Sequence, residues 1–395
     1  MIQAEKVEWK TLGDITNYEQ PTRYLVTNTQ YNEAFDTPVL TAGKTFILGY
    51  TNETEGIYQA SINPVIIFDD FTTANKWVNF NFKVKSSAMK IITSKDEEKY
   101  LLRYIYFWLN TLPGEKTDND HKRQWISNYA EKKIPIPSLE TQQKIVKILD
   151  KMTELEATLE AELFQRRRQY EYYRNALLDF DNRGGVIAKL YPSCLKDVVW
   201  KTLGEVCDYV DYRGKTPTKT NSGIFLVTAK NIKKGFIDYE NSKEYVSTTE
   251  YDVIMRRGLP KIGDVLITTE APCGNVAQID REDIALAQRV IKYRTKNASI
   301  LSNDFLKILL LGEKFQNDLT KIATGSTVKG VKGSLLHKIK IPIPPLEIQQ
   351  KIVAILDQFD TLTQSISDGL PREIALRRRQ YEYYREQLLN FAPAA

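Results

Sequence analysis

Histidine and cysteine are the scarcest chemically useful residues in this 395-residue chain: two of the former, His121 and His337, and three of the latter, Cys194, Cys207 and Cys273. The cysteines are scattered without CxxC spacing, which argues against a zinc site or a disulfide framework. The same scarcity removes the raw material of nucleophilic triads and of most metal chemistry. No cofactor and no metal are expected on the chain, and it does not read as an enzyme. A large excess of one charge is missing too: 55 Lys and Arg against 50 Asp and Glu leave +5. That excludes a polycationic arm and leaves room for local basic patches. No uncharged apolar run approaches the roughly 18 residues of a membrane span, and the first residues do not lead from a basic segment into an apolar one. The expectation is a cytoplasmic protein with no membrane partner and, at this length, two or more domains.

What the chain does have is a repeat. Trp9-Lys10-Thr11-Leu12-Gly13-Asp14-Ile15 returns 191 residues later as Trp200-Lys201-Thr202-Leu203-Gly204-Glu205-Val206. Residues 133–150 return at 340–357, an offset of 207, with 15 of 18 positions identical. Residues 166–180 return at 377–391, an offset of 211, with 12 of 15 identical. Between these frames, residues 16–132 and 207–339 show no comparable identity. Two like frames therefore carry two unlike inserts, which suggests that the frames meet the same thing twice while the inserts meet two different things.

Both frames read as long helices. Ile145, Ile148, Met152, Leu155 and Leu159, then Tyr170, Tyr173, Leu177 and Phe180, recur mostly at alternating steps of three and four, the spacing of a coiled-coil seam. Ile352, Ile355, Phe359, Leu362 and Ile366, then Tyr381, Tyr384, Leu388 and Phe391, repeat it. Each is preceded by Ile-Pro-Ile-Pro, an extended segment lacking alternate backbone donors. The four extra residues in the second copy, with Gly369-Leu370-Pro371 among them, are a stutter and predict a kink or short break there. The Arg166–Arg168 and Arg377–Arg379 runs fit a solvated helix face or a partner surface at least as well as phosphate contact.

The inserts read as mixed α and β. Strands are expected at 64–68 and 77–84 and a helix at 97–112; in the second insert, strands at 224–229, 264–269 and 289–293 and a helix at 303–319. The expected fold is α+β: two mixed α/β domains (1–138 and 185–345) separated by a pair of long antiparallel coiled-coil helices (139–184 and 346–395), with an internal pseudo-two-fold duplication. Lys122-Arg123 falls opposite Lys329-Gly330 at the 207 offset, and Thr324-Gly325-Ser326-Thr327 lies beside the latter. Hydroxyls and backbone N–H groups there suit phosphate oxygens. The DNA-contact candidates are Lys44, Lys76, Lys122 and Arg123 in the first insert. In the second they are Arg213, Lys215, Thr216, Lys219, Lys230, Ser326, Thr327, Lys329 and Lys332. Gly43-Lys44-Thr45 and Gly214-Lys215-Thr216 are not P-loops, because Pro38 and Tyr209 stand where the earlier glycine is required. No adenine-methyltransferase tetrapeptide occurs, and Glu97-Glu98-Lys99 lacks the upstream partner of a nuclease motif.

The two Ile-Pro-Ile-Pro segments, each followed by Leu-Glu and Gln-Gln-Lys-Ile-Val, and Thr324-Gly325-Ser326-Thr327 resemble the specificity subunit of type I restriction–modification systems. So do Leu203-Gly204-Glu205 leading to Arg213-Gly214-Lys215-Thr216-Pro217, Gly263-Asp264-Val265-Leu266-Ile267, and Phe68-Asp69-Asp70-Phe71-Thr72-Thr73-Ala74-Asn75-Lys76. The likeness spans essentially the whole chain. It implies a non-catalytic subunit whose two domains read the halves of a split site in double-stranded DNA, with the helices as spacer and dock. The implied partners are two modification methyltransferase subunits, which would carry S-adenosylmethionine, and, where present, restriction endonuclease subunits. Gln142, Gln143, Tyr170, Tyr173, Gln349, Gln350, Tyr381 and Tyr384 are the expected partner-binding residues. The alternative is a coiled-coil adaptor that holds two protein ligands and no DNA.

Overall fold

The computed structural model describes residues 5–42, 45–113, 123–212, 214, 216–325, 329–364 and 369–391. Two compact units result, and the boundary does not fall where a helix begins: one comprises Met1–Ala161 with Glu373–Ala395, the other Glu162–Arg372.

In the first unit, Val65–Asp69 is buried at every position, the pattern of a strand covered on both faces. It sits inside an antiparallel four-stranded sheet ordered Thr16–Glu19, Met89–Ser94, Val65–Asp69, Asn75–Val78, with Ile66 opposite Ile92 and Phe68 opposite Lys90. One face packs Ile66, Phe68 and Ile92 against the helix Leu102–Leu109, Trp125 and Tyr129. The other packs Val65, Ile67 and Ile91 on Phe82 and on Leu40 and Val84 of a smaller sheet, where Thr37–Leu40 pairs in parallel with Lys83–Val84. Glu8–Thr11 pairs antiparallel with Lys133–Ile136, Trp9 opposite Pro135, so the proline-rich segment closes the domain in a two-stranded clasp with no central position for its prolines to disturb.

The second unit repeats this plan, with the same main-sheet order and one strand more in its small sheet, four against three. Its main sheet runs Cys207–Asp211, Val290–Thr295, Val265–Thr269, Cys273–Gln278; its small sheet has Ile224–Val227 parallel to Ile284–Leu286; its clasp joins Val199–Thr202 to Lys340–Ile343. Inserts without recognisable identity thus share one topology.

The expected 77–84 strand is two strands, Asn75–Val78 and Lys83–Val84, belonging to different sheets. The 97–112 helix is shorter, Leu102–Leu109, because the Asp96 carbonyl closes a turn with the N–H of Lys99 and Tyr100 and the Glu97 carboxylate then accepts from Leu102 N. The 303–319 helix is two, Asn303–Leu311 and Glu313–Ile322. Between them stands Gly312, where a Cβ would lie 2.8 Å from Leu178 Cδ1 and require that side chain to shift.

The helix Leu139–Leu177 is continuous over 39 residues, while its counterpart is two helices, Leu346–Gln364 and Leu370–Leu389. The break coincides with the stutter and with Gly369, where a Cβ would come within 2.4 Å of the Thr361 carbonyl oxygen. Antiparallel packing appears inside each unit. In the first, Arg378 reaches Glu156 at 2.5 Å and also pairs with Glu160, while Leu389 and Phe391 join the core of Ile145 and Leu149. In the second, Arg167 Nη2 donates to the Thr363 carbonyl, and Tyr170 and Tyr173 lie against Phe359. Under the repeat offsets Arg378 corresponds to Arg167 and Glu156 to Thr363, so both units use the same helix register.

Candidate nucleic-acid interface

At one end of the main sheet of the second unit, four loops are tied together. Gln288 Nε2 donates to Thr216 Oγ1 at 3.1 Å. Arg289 accepts from Thr269 N through its carbonyl at 2.8 Å, and its guanidinium lies 3.4 Å from the Glu270 carboxylate. Glu270 bridges to Gly330; Gly330 and Thr324 exchange backbone hydrogen bonds of 2.8 Å; Val331 N donates to the Thr269 carbonyl at 2.9 Å. Lys329 and Lys332 are exposed on either side of that contact. Of the expected DNA-contact residues the structure therefore gathers Thr216, Lys329 and Lys332 here. It adds Gln288, Arg289 and Glu270, which no motif announced.

Arg213, Lys215, Ser326 and Thr327 lie outside the described residues. Lys219 lies on the small sheet and pairs with Glu244 at 2.8 Å. Lys230 is exposed in a loop pinned by Asn231, whose carboxamide accepts from Thr228 and donates to the carbonyls of Asp238 and Ser242. That loop meets the edge strand Cys273–Gln278 through Gly235 N and the Val276 carbonyl. At the opposite end of the same sheet a short segment is held by buried charge. Asp264 takes two 2.6 Å hydrogen bonds from Arg294, one from Lys261 N, and lies 3.5 Å from Lys292, whose ammonium also donates to the Leu259 carbonyl. Burial pushes the Lys292 ammonium below its usual range despite the nearby carboxylate.

The corresponding end of the first unit is built differently. Asp70 accepts from Trp125 N at 2.8 Å through its carboxylate and from Gln124 N through its carbonyl. Its other carboxylate oxygen lies 3.5 Å from Lys90 Nζ, both side chains being buried. With its amide turned to satisfy both donors, Gln20 Oε1 accepts from Lys90 Nζ at 3.0 Å and from Arg123 Nη1 at 2.6 Å. The exposed Arg123 is thereby tied through the half-buried Gln20 to the buried Lys90 and Asp70. Lys76 is exposed on the edge strand, where a lysine also discourages strand addition. Lys44 and Lys122 lie outside the described residues.

The helices correct part of the expected partner surface. Gln142 is fully buried: its oxygen accepts from Leu101 N and its nitrogen donates to the carbonyls of Lys99 and Pro137. Gln349 is buried in the same way by Ser302 N, Ile300 O and Pro344 O. Both glutamines lock a helix start onto its domain and have nothing left to offer a partner. Tyr170 is buried and Tyr381 half-buried, each under the cation of Arg174 or Arg385. Gln143, Gln350, Tyr173 and Tyr384 are exposed. The more exposed ring of each copy was missed: Tyr172 and Tyr383 stand edge-on to Tyr173 and Tyr384 at 5.4 and 5.5 Å. The arginine runs are partly consumed within their units, Arg378 by Glu156 and Glu160 and Arg167 by Thr363.

Burial pushes the Cys207 thiol up to about 12, far from nucleophilic at neutral pH. Among the described residues no His, Cys, Asp and Glu cluster could hold a metal, and no helix is long and apolar enough to cross a membrane.

Two like-folded domains, unlike in their polar loops and joined through repeated helices, define a duplicated recognition protein. The model of the type I restriction modification DNA specificity domain matches residues 4–165 and again 196–376, and the chain belongs to that family. It is a specificity subunit of a type I restriction–modification system. It is 46% identical to the EcoR124I/EcoR124II specificity subunit of Escherichia coli over 99% of this chain and 96% of that one. A putative type I specificity subunit of Haemophilus influenzae is 29% identical over 99% and 97%. The crystal structure of the S subunit from M. genitalium shares the fold, with a TM-score of 0.59 at 15% identity over 99% of this chain and 98% of that one.

Proposed function

We propose that each unit reads one half of a split site in double-stranded DNA through the loop cluster at the end of its main sheet. The helices would set the number of unread base pairs between the halves and dock two modification methyltransferase subunits, with restriction subunits joining where present. The observation that carries this reading is the pairing of one strand topology with two different polar surfaces at the same place in the fold. A continuous helix of 39 residues, about 60 Å at 1.5 Å per residue, is a suitable spacer. Chemistry on the base would belong to the methyltransferase, which would bring S-adenosylmethionine, and the complex would work in the cytoplasm.

Exchanging residues 207–339 for another such insert, in the assembled methyltransferase, should change one half of the methylated sequence and leave the other intact. Changing both halves or neither would refute the reading. Adding about one heptad to the helices should alter the spacer alone. An adaptor without DNA would show no salt-sensitive duplex binding even with the methyltransferase present.

A further inference from the structure

We infer that Gln288 and Arg289 read bases in the half-site of the second unit, with Glu270 and Thr216 holding them in place. The inference rests on the proposed DNA-reading function. It adds which side chains discriminate and why only one of the two units has them.

Arg289 has φ of 71°, in the left-handed region that L-residues other than Asn and Asp rarely occupy. Such strain persists only where its surroundings over-determine it, and it concentrates at functional sites. Here the surroundings are visible: the Arg289 carbonyl is fixed by Thr269 N, its guanidinium by Glu270 at 3.4 Å, and the preceding carboxamide by Thr216. The guanidinium remains about half exposed. In the first unit the equivalent sheet position is Ala88, whose carbonyl accepts from Asp70 N, and it is preceded by Ser87. Sheet pairing places Phe71 there in the position of Glu270, since Asp69 faces Met89 as Thr268 faces Val290. The backbone contact is therefore common to both units, while the Gln-Arg pair and its carboxylate are peculiar to one.

Those two side chains are the bidentate readers of the major groove: glutamine matches N6 and N7 of adenine, and arginine O6 and N7 of guanine. The Glu270 partner contributes little stability at this exposure, but it orients the guanidinium and weakens its attraction for an arbitrary phosphate. Lys329 and Lys332, on the neighbouring loop, are placed for the sequence-independent backbone contacts that fix register.

The test uses the full subunit assembled with its methyltransferase, with methylated adenines mapped by sequencing on a randomised duplex library. Arg289→Ala and Gln288→Ala should each relax one base pair in the half-site of the second unit, losing roughly 5- to 150-fold discrimination there. The other half-site serves as internal control and should stay unchanged. An unchanged sequence preference, whether at normal or uniformly reduced methylation, would overturn the inference in favour of a phosphate or structural role. If Arg289→Ala abolishes methylation, Arg289→Gln decides: it keeps a long polar side chain but removes the donor pair that matches O6 and N7 of guanine, and should relax or shift the same base pair; an intact preference overturns the inference. The outcomes separate from failure of the underlying reading. Exchange of residues 207–339 that moves one half-site, with these variants silent, refutes only the inference; exchange that moves neither refutes the reading.

Discussion

The two main sheets share strand order and register, yet each buries its charge on the opposite face. In the first unit, the Lys90–Asp70 pair lies on the side of the helix Leu102–Leu109 and connects through Gln20 to Arg123 at the surface. In the second, sheet register puts Ile291 and Thr269 at those places, and the buried charges are Asp264 and Lys292 on the side of the small sheet, joined by Arg294. Topology is thus specified by where apolar residues recur, because their burial is non-directional and tolerates exchange. Buried charge is directional and must be satisfied locally, so each unit carries its own solution and anchors different loops with it.

Removing one partner of a buried pair should expose this contrast most strongly. Asp264→Ala leaves Lys292 without its carboxylate and is expected to destabilise the second unit by about 3–5 kcal/mol. Asp70→Ala should do so in the first, and limited proteolysis of the two variants should reveal different fragments. If both variants lose the same unit, the units are not separate in stability.

Phe391→Ala is next, at about 3–5 kcal/mol for a buried aromatic with cavity formation. Phe391 lies near the chain end but in the core of the first unit with Ile145 and Leu149, so hydrogen exchange should rise around residues 139–149. A rise confined to the second unit would contradict the division of the helices. Gln349→Ala and Gln142→Ala each strand buried carbonyls and an N–H, a cost of about 1–3 kcal/mol, and should weaken the two units to a similar degree by thermal unfolding. A negligible shift for either would mean that its buried contacts contribute little.

The smallest effect is peculiar to the first unit. Burial alone would raise the Glu53 carboxyl, but donors from Asn28, Lys83 and Thr27 outweigh it and bring it down to about 2. A depressed carboxylate contributes stability that is complete above its unfolded value near 4.5 and is lost as pH falls toward 2. Glu53→Gln should flatten that acid limb of the first unit; an unchanged limb would assign it to other carboxylates.

Much of this was legible before any coordinates. The offsets located the frames, the alternation of like and unlike segments suggested two specificities, and Gly369-Leu370-Pro371 marked the helix break. The strands expected at 64–68 and 264–269 were readable because both faces are covered and each holds consecutive apolar residues, Val65 to Phe68 and Val265 to Ile267. The break at Gly312 was not, since a glycine inside an apolar periodic segment does not by itself end a helix, and the packing of Leu178 beside it is distant in sequence. The repeated glutamines read as surface because repetition marks a shared contact without saying whether it is inside or outside.

Chain chemistry alone settled the duplication and the helical frames, because repetition and periodicity can be read one segment at a time. Folding decided the rest. That two dissimilar inserts adopt one topology, that Gln142 and Gln349 face inward, and that Thr216, Glu270, Gln288, Arg289 and Lys329 meet at one sheet end all depend on pairings between residues far apart in sequence. Strand register and side-chain packing create those neighbours, and no linear pattern encodes them in a form that can be read one segment at a time.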